Sequence, residues 1–285
     1  MSLLDFILNL AGLLLWVSWR YVPFDPISQR RPATLTGTLR SANRHSKLGR
    51  SFMSIASLLA LFALLFLRGL FYWWLGDALE WTPGINLGAI TLAFRSDLLW
   101  RMMLFSLGSF ASTLLLFYGM LILLSVVHGR DVDAEPCVRF LRIQLGAIHG
   151  WPAWLKVLLP ALAAGLAWLA CEPFLGRMGI VPRAQSWSLL LQQAGVLGLG
   201  TYPPWKHLIG AVLVLHLLNN YVYFGNHPIW GFINTTARRL LQPLGWTPRI
   251  GMADFTPLVG IVLVFVAAEF VQRGLTWLYP RLPLF

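Results

Sequence analysis

The chain has 285 residues, of which 57% are apolar and only 12% charged, and it carries a net charge of +11. Together with a mean hydropathy of +0.66, these values exclude an ordinary soluble domain and describe a polytopic membrane protein whose main solvent is lipid. Its basic residues sit in short segments between apolar runs, which suits anionic headgroups, and no basic soluble domain is long enough to hold nucleic acid.

In chain order, MSLLDFILNLAGLLLWVSWR has Asp5 and no basic run before its apolar stretch, nor a small-residue cleavage site after it. It reads as an uncleaved first anchor. About 20 apolar residues cross a hydrocarbon core, and six segments qualify or nearly do: 3–19, 52–75, 99–127, 155–172, 207–224 and 257–279. Residues 20–51 are polar and basic, with Pro23, Pro26 and Pro32 breaking regular structure, and read as a solvated loop. Residues 81–97 and 180–204 are apolar but contain Pro and Gly, so they are expected on the outer side, dipping into the interface or packing over the bundle. Trp73, Trp74, Trp151, Trp154, Trp205 and Trp277 fall near span ends, as in an aromatic belt. Cys137 and Cys171 are placed on opposite sides of the membrane, which argues against a disulfide.

Between the spans, the side holding 20–50, 128–156 and 225–256 carries fourteen Lys and Arg against six on the other. The positive-inside rule then places both termini outside the cytoplasm. Two amphipathic stretches lie on the basic side. In the first, Val138, Leu141, Leu145 and Ile148 recur at helical spacing with Arg139, Arg142 and Gln144 turned away; in the second, Ile233, Ala237, Leu240, Leu241 and Leu244 form the stripe, with Arg238, Arg239 and Gln242 opposite. Both are too short and too charged to span, so they are expected in the headgroup layer with Arg139, Arg142, Arg238 and Arg239 toward lipid phosphate.

The two stretches belong to a repeat. Gly129, Arg142 and Leu145 stand 96 residues before Gly225, Arg238 and Leu241, and Pro160 and Glu172 stand 97 before Pro257 and Glu269. Each copy is a span, a surface helix and a span, and a pseudo-twofold axis along the membrane normal would relate them.

Few residues suggest chemistry. Glu172 and Glu269 form a matched carboxylate pair, read either as an ion or proton site or as groups near an outer helix end, close to Arg177 or Arg273. Arg68, flanked by LLFL and GLF, needs an acidic partner, a carbonyl or the interface. His216, Asn219 and Asn220 cluster in the fifth span, where interhelical hydrogen bonding competes with haem ligation by His216. A polar convergence of Asp131, Asp133, His149 and Asp254 would be the mark of an enzyme acting on lipid. Motifs for nucleotide hydrolysis, serine hydrolysis, zinc proteolysis and haem attachment are absent from the sequence, and neither catalysis nor a cofactor is expected. In Gly251-Met-Ala-Asp-Phe-Thr-Pro257, Asp254 or Thr256 can cap the helix beginning near Pro257.

That turn and the stretch before it resemble the YggT family of small bacterial and plastid integral membrane proteins. The matching residues are Asn226 and Pro228, Arg238 and Arg239, Pro243, Pro248, Gly251, Asp254, and Thr256 with Pro257. The resemblance covers about residues 100–280, and the first copy keeps Pro136 and Pro160 without the turn. Leu244, Gly245 and Trp246 stand where the family often has a basic pair. The resemblance implies a protein without established catalysis that acts through other membrane components.

The expectation is therefore an all-α, six-span transmembrane bundle with an N-terminal extension at 1–98, a first unit at 99–179, a connector at 180–206 and a second unit at 207–285. It is expected in the bacterial inner membrane as an accessory or scaffold protein, partnered by a membrane-protein complex or its own copies and by anionic phospholipid. The alternative is a transporter or channel lined by Glu172, Glu269, Arg68 and the face of His216 and Asn220.

Overall fold

A computed structural model describes residues 2–21, 45–79, 82–129, 136–222, 227–245, 249–250 and 253–283. The described chain is a bundle of nine α-helices: α1 (Ser2–Tyr21), α2 (His45–Leu79), α3 (Leu99–His128), α4 (Pro136–Leu145), α5 (Ala153–Arg177), α6 (Trp187–Leu199), α7 (Trp205–Tyr221), α8 (Pro228–Leu241) and α9 (Thr256–Leu278). Two small hairpins, β1 (Gly84–Asn86) with β2 (Thr91–Ala93) and β3 (Arg249–Ile250) with β4 (Ala253–Asp254), are its only strands among the described residues. Five helices are long and apolar enough to cross a membrane: Leu3–Arg20, Ser54–Gly76, Leu99–His128, Ala153–Arg177 and Thr256–Arg281.

Two compact units divide the chain. The first comprises Met1–Ile85 and Ala93–Leu114, the second Asn86–Leu92 and Leu115–Phe285. In the first, α1 and α2 pack antiparallel: Asp5 meets Arg68, Gly12 faces Leu61, and Ser54 reaches the carbonyl of Trp19. Leu61, Leu65 and Phe110 form the buried apolar centre, with Leu15, Trp16, Leu64 and Leu114 around it. A Cβ on Gly12 would come 2.9 Å from the ring of Phe110, so this glycine lets α1 sit close against α3. Ile85 likewise lies against Gly108.

In the second unit, α5 and α6 run antiparallel over a long distance. Gly176 meets Arg183, Gly165 meets Ala194, Gly198 meets Ala161, and the hydroxyl of Tyr202 donates to the carbonyl of Val157 at 2.7 Å. From 176 to 157 is about 28 Å of helix at 1.5 Å per residue. Residues 180–204 thus pack along most of the length of α5, in keeping with the expectation that they pack on the bundle. The physical reason is close backbone approach: a Cβ on Gly198 would stand 2.6 Å from the carbonyl oxygen of Ala161, and small residues let membrane helices pack this tightly.

The expected fifth crossing changes. α7 has 17 residues, about 25 Å, and is preceded by Gly200-Thr-Tyr-Pro-Pro204, where consecutive prolines remove two donors and end a helix. The predicted fifth span, 207–224, is not among the five helices long and apolar enough to cross; α6 lies against α5, and α7 runs antiparallel to α9 through Gly210 with Phe265 and Leu213 with Gly260. The backbone between α6 and α7 is satisfied internally: the N–H groups of Thr201, Tyr202 and Trp205 bond the carbonyls of Gly198, Leu199 and Tyr202. Residues 86–92 pack here too. Gly88, at φ +85°, lies so close to Gly200 that a Cβ would sit 2.9 Å from its carbonyl oxygen.

The surface helices differ from expectation in register. The buried positions of α8, Ile233, Thr236 and Ala237, each lie 92 residues after a buried position of α4, namely Leu141, Gln144 and Leu145, and each helix opens on a proline, Pro136 or Pro228. The offset of 96 is one helical turn out. A shift of four moves an apolar stripe by only about 40°, so periodicity alone cannot resolve it. Gln144, expected to face away, is 1% exposed for the same reason. Pro160 and Pro257 also part: Pro160 is inside α5, whereas Pro257 opens α9.

Candidate functional site

The densest polar assembly lies in the second unit, where the C-terminal end of α3 meets α4, α5 and α8. The last turn of α3 has carbonyls without intrahelical donors. Arg239 of α8 supplies them, its Nη1 donating to Val127 O at 3.1 Å and His128 O at 2.9 Å, and its charge suits the negative end of the helix dipole. The His128 ring stacks on Phe232 at 4.4 Å with planes 2° apart, and its Nε2 lies 2.7 Å from Thr236 Oγ1. One turn back, Ser125 Oγ receives Lys156 Nζ at 2.9 Å and lies 3.0 Å from His149 Nδ1.

Two nitrogen groups converging on one serine hydroxyl is an arrangement that can activate a nucleophile. Ser125, however, is 0% exposed and Lys156 3%, so in this conformation no reactant can touch the oxygen. Its observed work is mechanical: it ties α3, the first turn of α5 and the 3₁₀ turn Gly146–Gly150 together. Sequence reasoning singled out His149 but neither Ser125 nor Lys156. The usable signal was Lys156 itself, a lysine inside the predicted span 155–172 that had to find a partner. Asp131 and Asp133 lie outside the described residues, and for Asp254 only the backbone is described, paired with Arg249 in the second hairpin.

The four arginines expected to face headgroups, Arg139, Arg142, Arg238 and Arg239, do not behave alike. Arg142 and Arg238 are exposed, Arg139 is half-buried, and Arg239 is turned inward as the cap of α3. Arg239 is therefore a strut within the protein, because the carbonyls at the end of α3 offer it acceptors at short range.

Of the polar residues expected within the membrane, Arg68, Glu172 and His216 are taken up by internal partners, whereas Glu269 and Asn220 are exposed. Arg68 is 2% exposed; its Nη2 donates to Asp5 Oδ1 at 2.9 Å and Ser109 Oγ at 3.0 Å, and its Nη1 to Asn9 Oδ1 at 2.6 Å. Tyr72 donates to the same Asp5 oxygen at 2.5 Å, and the rings of Tyr72 and Phe105 flank the guanidinium. Of the three partners its position allowed, an acidic group, a carbonyl or the interface, Arg68 has the acidic one, Asp5 on α1. Glu172 is buried, with Oε1 accepting from the N–H of Ala184 at 2.7 Å. Glu269 is instead exposed, 2.9 Å from Arg273 Nε and 3.6 Å from Lys206 Nζ. It lies midway along Thr256–Arg281, which corrects its expected place near an outer helix end, and Arg273, counted with the tail, is inside the helix. His216 meets Asn234 Oδ1 of α8 at 2.8 Å, while Asn220 is exposed, so the face these two share does not act as one.

Of the family-like residues, Asn226, Pro248 and Gly251 lie outside the described residues. Pro228 opens α8, with His227 Nδ1 accepting from the N–H of Ile229 at 3.3 Å, and Pro243 lies in the 3₁₀ turn Gln242–Leu244. Helix α9 begins at Thr256 with Phe255 as its N-cap, a residue with no side-chain oxygen to offer. Thr256 is inside the first turn and 5% exposed, one residue beyond the capping position. Neither Cys137 nor Cys171 is in a disulfide. Among the described residues, no three His, Cys, Asp or Glu side chains converge as a metal site would require. Comparison of the chain with protein-family models, with curated proteins and with solved structures finds no match.

Proposed function

We propose that this membrane protein is a non-enzymatic accessory or scaffold component, related to the YggT family, of a bacterial inner membrane with both termini outside the cytoplasm. In this reading α4 and α8 lie in the cytoplasmic headgroup layer and hold anionic lipid through Arg142 and Arg238, and the spans bind other membrane components. The observation that carries it is the local closure of three of the five polar groups expected within the membrane: Arg68 on Asp5, Asn9 and Ser109, Glu172 on Ala184, and His216 on Asn234. Groups committed to such internal bonds position helices; a solute pathway needs groups that can exchange partners.

The test is lipid retention. Purified protein in nanodiscs of mixed phosphatidylglycerol and phosphatidylcholine is expected to enrich the anionic lipid in its shell, and Arg142→Gln with Arg238→Gln is expected to abolish the enrichment while the fold survives. Equal enrichment in the variant would reject the headgroup role.

A transport reading is favoured by one feature, the helix break at 200–204, since interrupted helices often mark transporter binding sites. Ion flux through proteoliposomes that is lost in Glu269→Gln would support it over the scaffold.

A further inference from the structure

We draw no further inference here: the strongest candidate, the side-chain cluster of Ser125, His149 and Lys156 where the end of α3 meets the first turn of α5, belongs to the site already described, and its serine hydroxyl is wholly buried and committed to tying those elements together.

Discussion

Replacing either member of the Asp5 and Arg68 pair should destabilise the first unit, but by unequal amounts. Asp5→Ala leaves a guanidinium whose side chain is 0% exposed with only the neutral acceptors Asn9 and Ser109. Stranding a buried charge in this way costs about 3–5 kcal/mol. Arg68→Met leaves Asp5, whose side chain is 21% exposed and keeps the Tyr72 hydroxyl at 2.5 Å. That carboxylate sits two residues inside Leu3–Arg20 and can turn toward the interface, so the loss is mainly that of interhelical hydrogen bonds, about 1–2 kcal/mol. The double variant Asp5→Ala with Arg68→Met should be more stable than Asp5→Ala alone, since it removes the stranded charge. Steric-trap unfolding of α1 from α2 in bicelles, run as a double-mutant cycle, measures all three. An Asp5→Ala variant as stable as Arg68→Met would refute the reasoning, because it would mean Arg68 reaches water or lipid phosphate by itself.

Further expectations rest on close backbone contacts and on the tie between α3 and α8. Gly198→Val should destabilise the pairing of α5 with α6 by about 1–3 kcal/mol, since the nearest obstacle is the carbonyl of Ala161 at 2.6 Å and cannot rotate away; thermal unfolding in detergent reads this out, and Gly195→Val, with nothing within 4 Å, is the control. Gly88→Ala should lose a comparable amount, about 1–3 kcal/mol, because it combines φ +85° with backbone at 2.9 Å, and hydrogen exchange at 86–92 should rise with it. Thr236→Val should cost about 1–3 kcal/mol, because it removes the hydroxyl that meets Nε2 of a histidine that is 2% exposed; Thr236→Ser should recover most of that loss in the same thermal assay.

The sequence by itself determined the class of the molecule. Runs such as Leu99–His128 are too apolar and too long for anything but a span, and the amphipathic spacing in α4 and α8 placed both as short helices beside the bundle. It also predicted that Arg68 required an acidic partner, a backbone carbonyl or the interface, because a lone charge in hydrocarbon is untenable. What it could not supply was which residue answers. Asp5 lies 63 positions away, and only the antiparallel packing of α1 on α2 brings it there.

Tertiary structure alone decided the register of the surface helices, where a four-residue slip leaves the apolar stripe nearly unchanged. It likewise decided the course of 180–204. Pro and Gly interrupt those residues in the sequence; in the fold the glycines let α6 lie against α5, and Pro203 and Pro204 separate α6 from α7. Glu172 and Glu269 looked like a pair by spacing, and the fold gave them different environments, one buried on a backbone N–H and the other exposed at the middle of α9. Local pattern reports what a residue can tolerate on its own helix. Burial and pairing depend on which other helix arrives beside it, and that is a property of the folded chain.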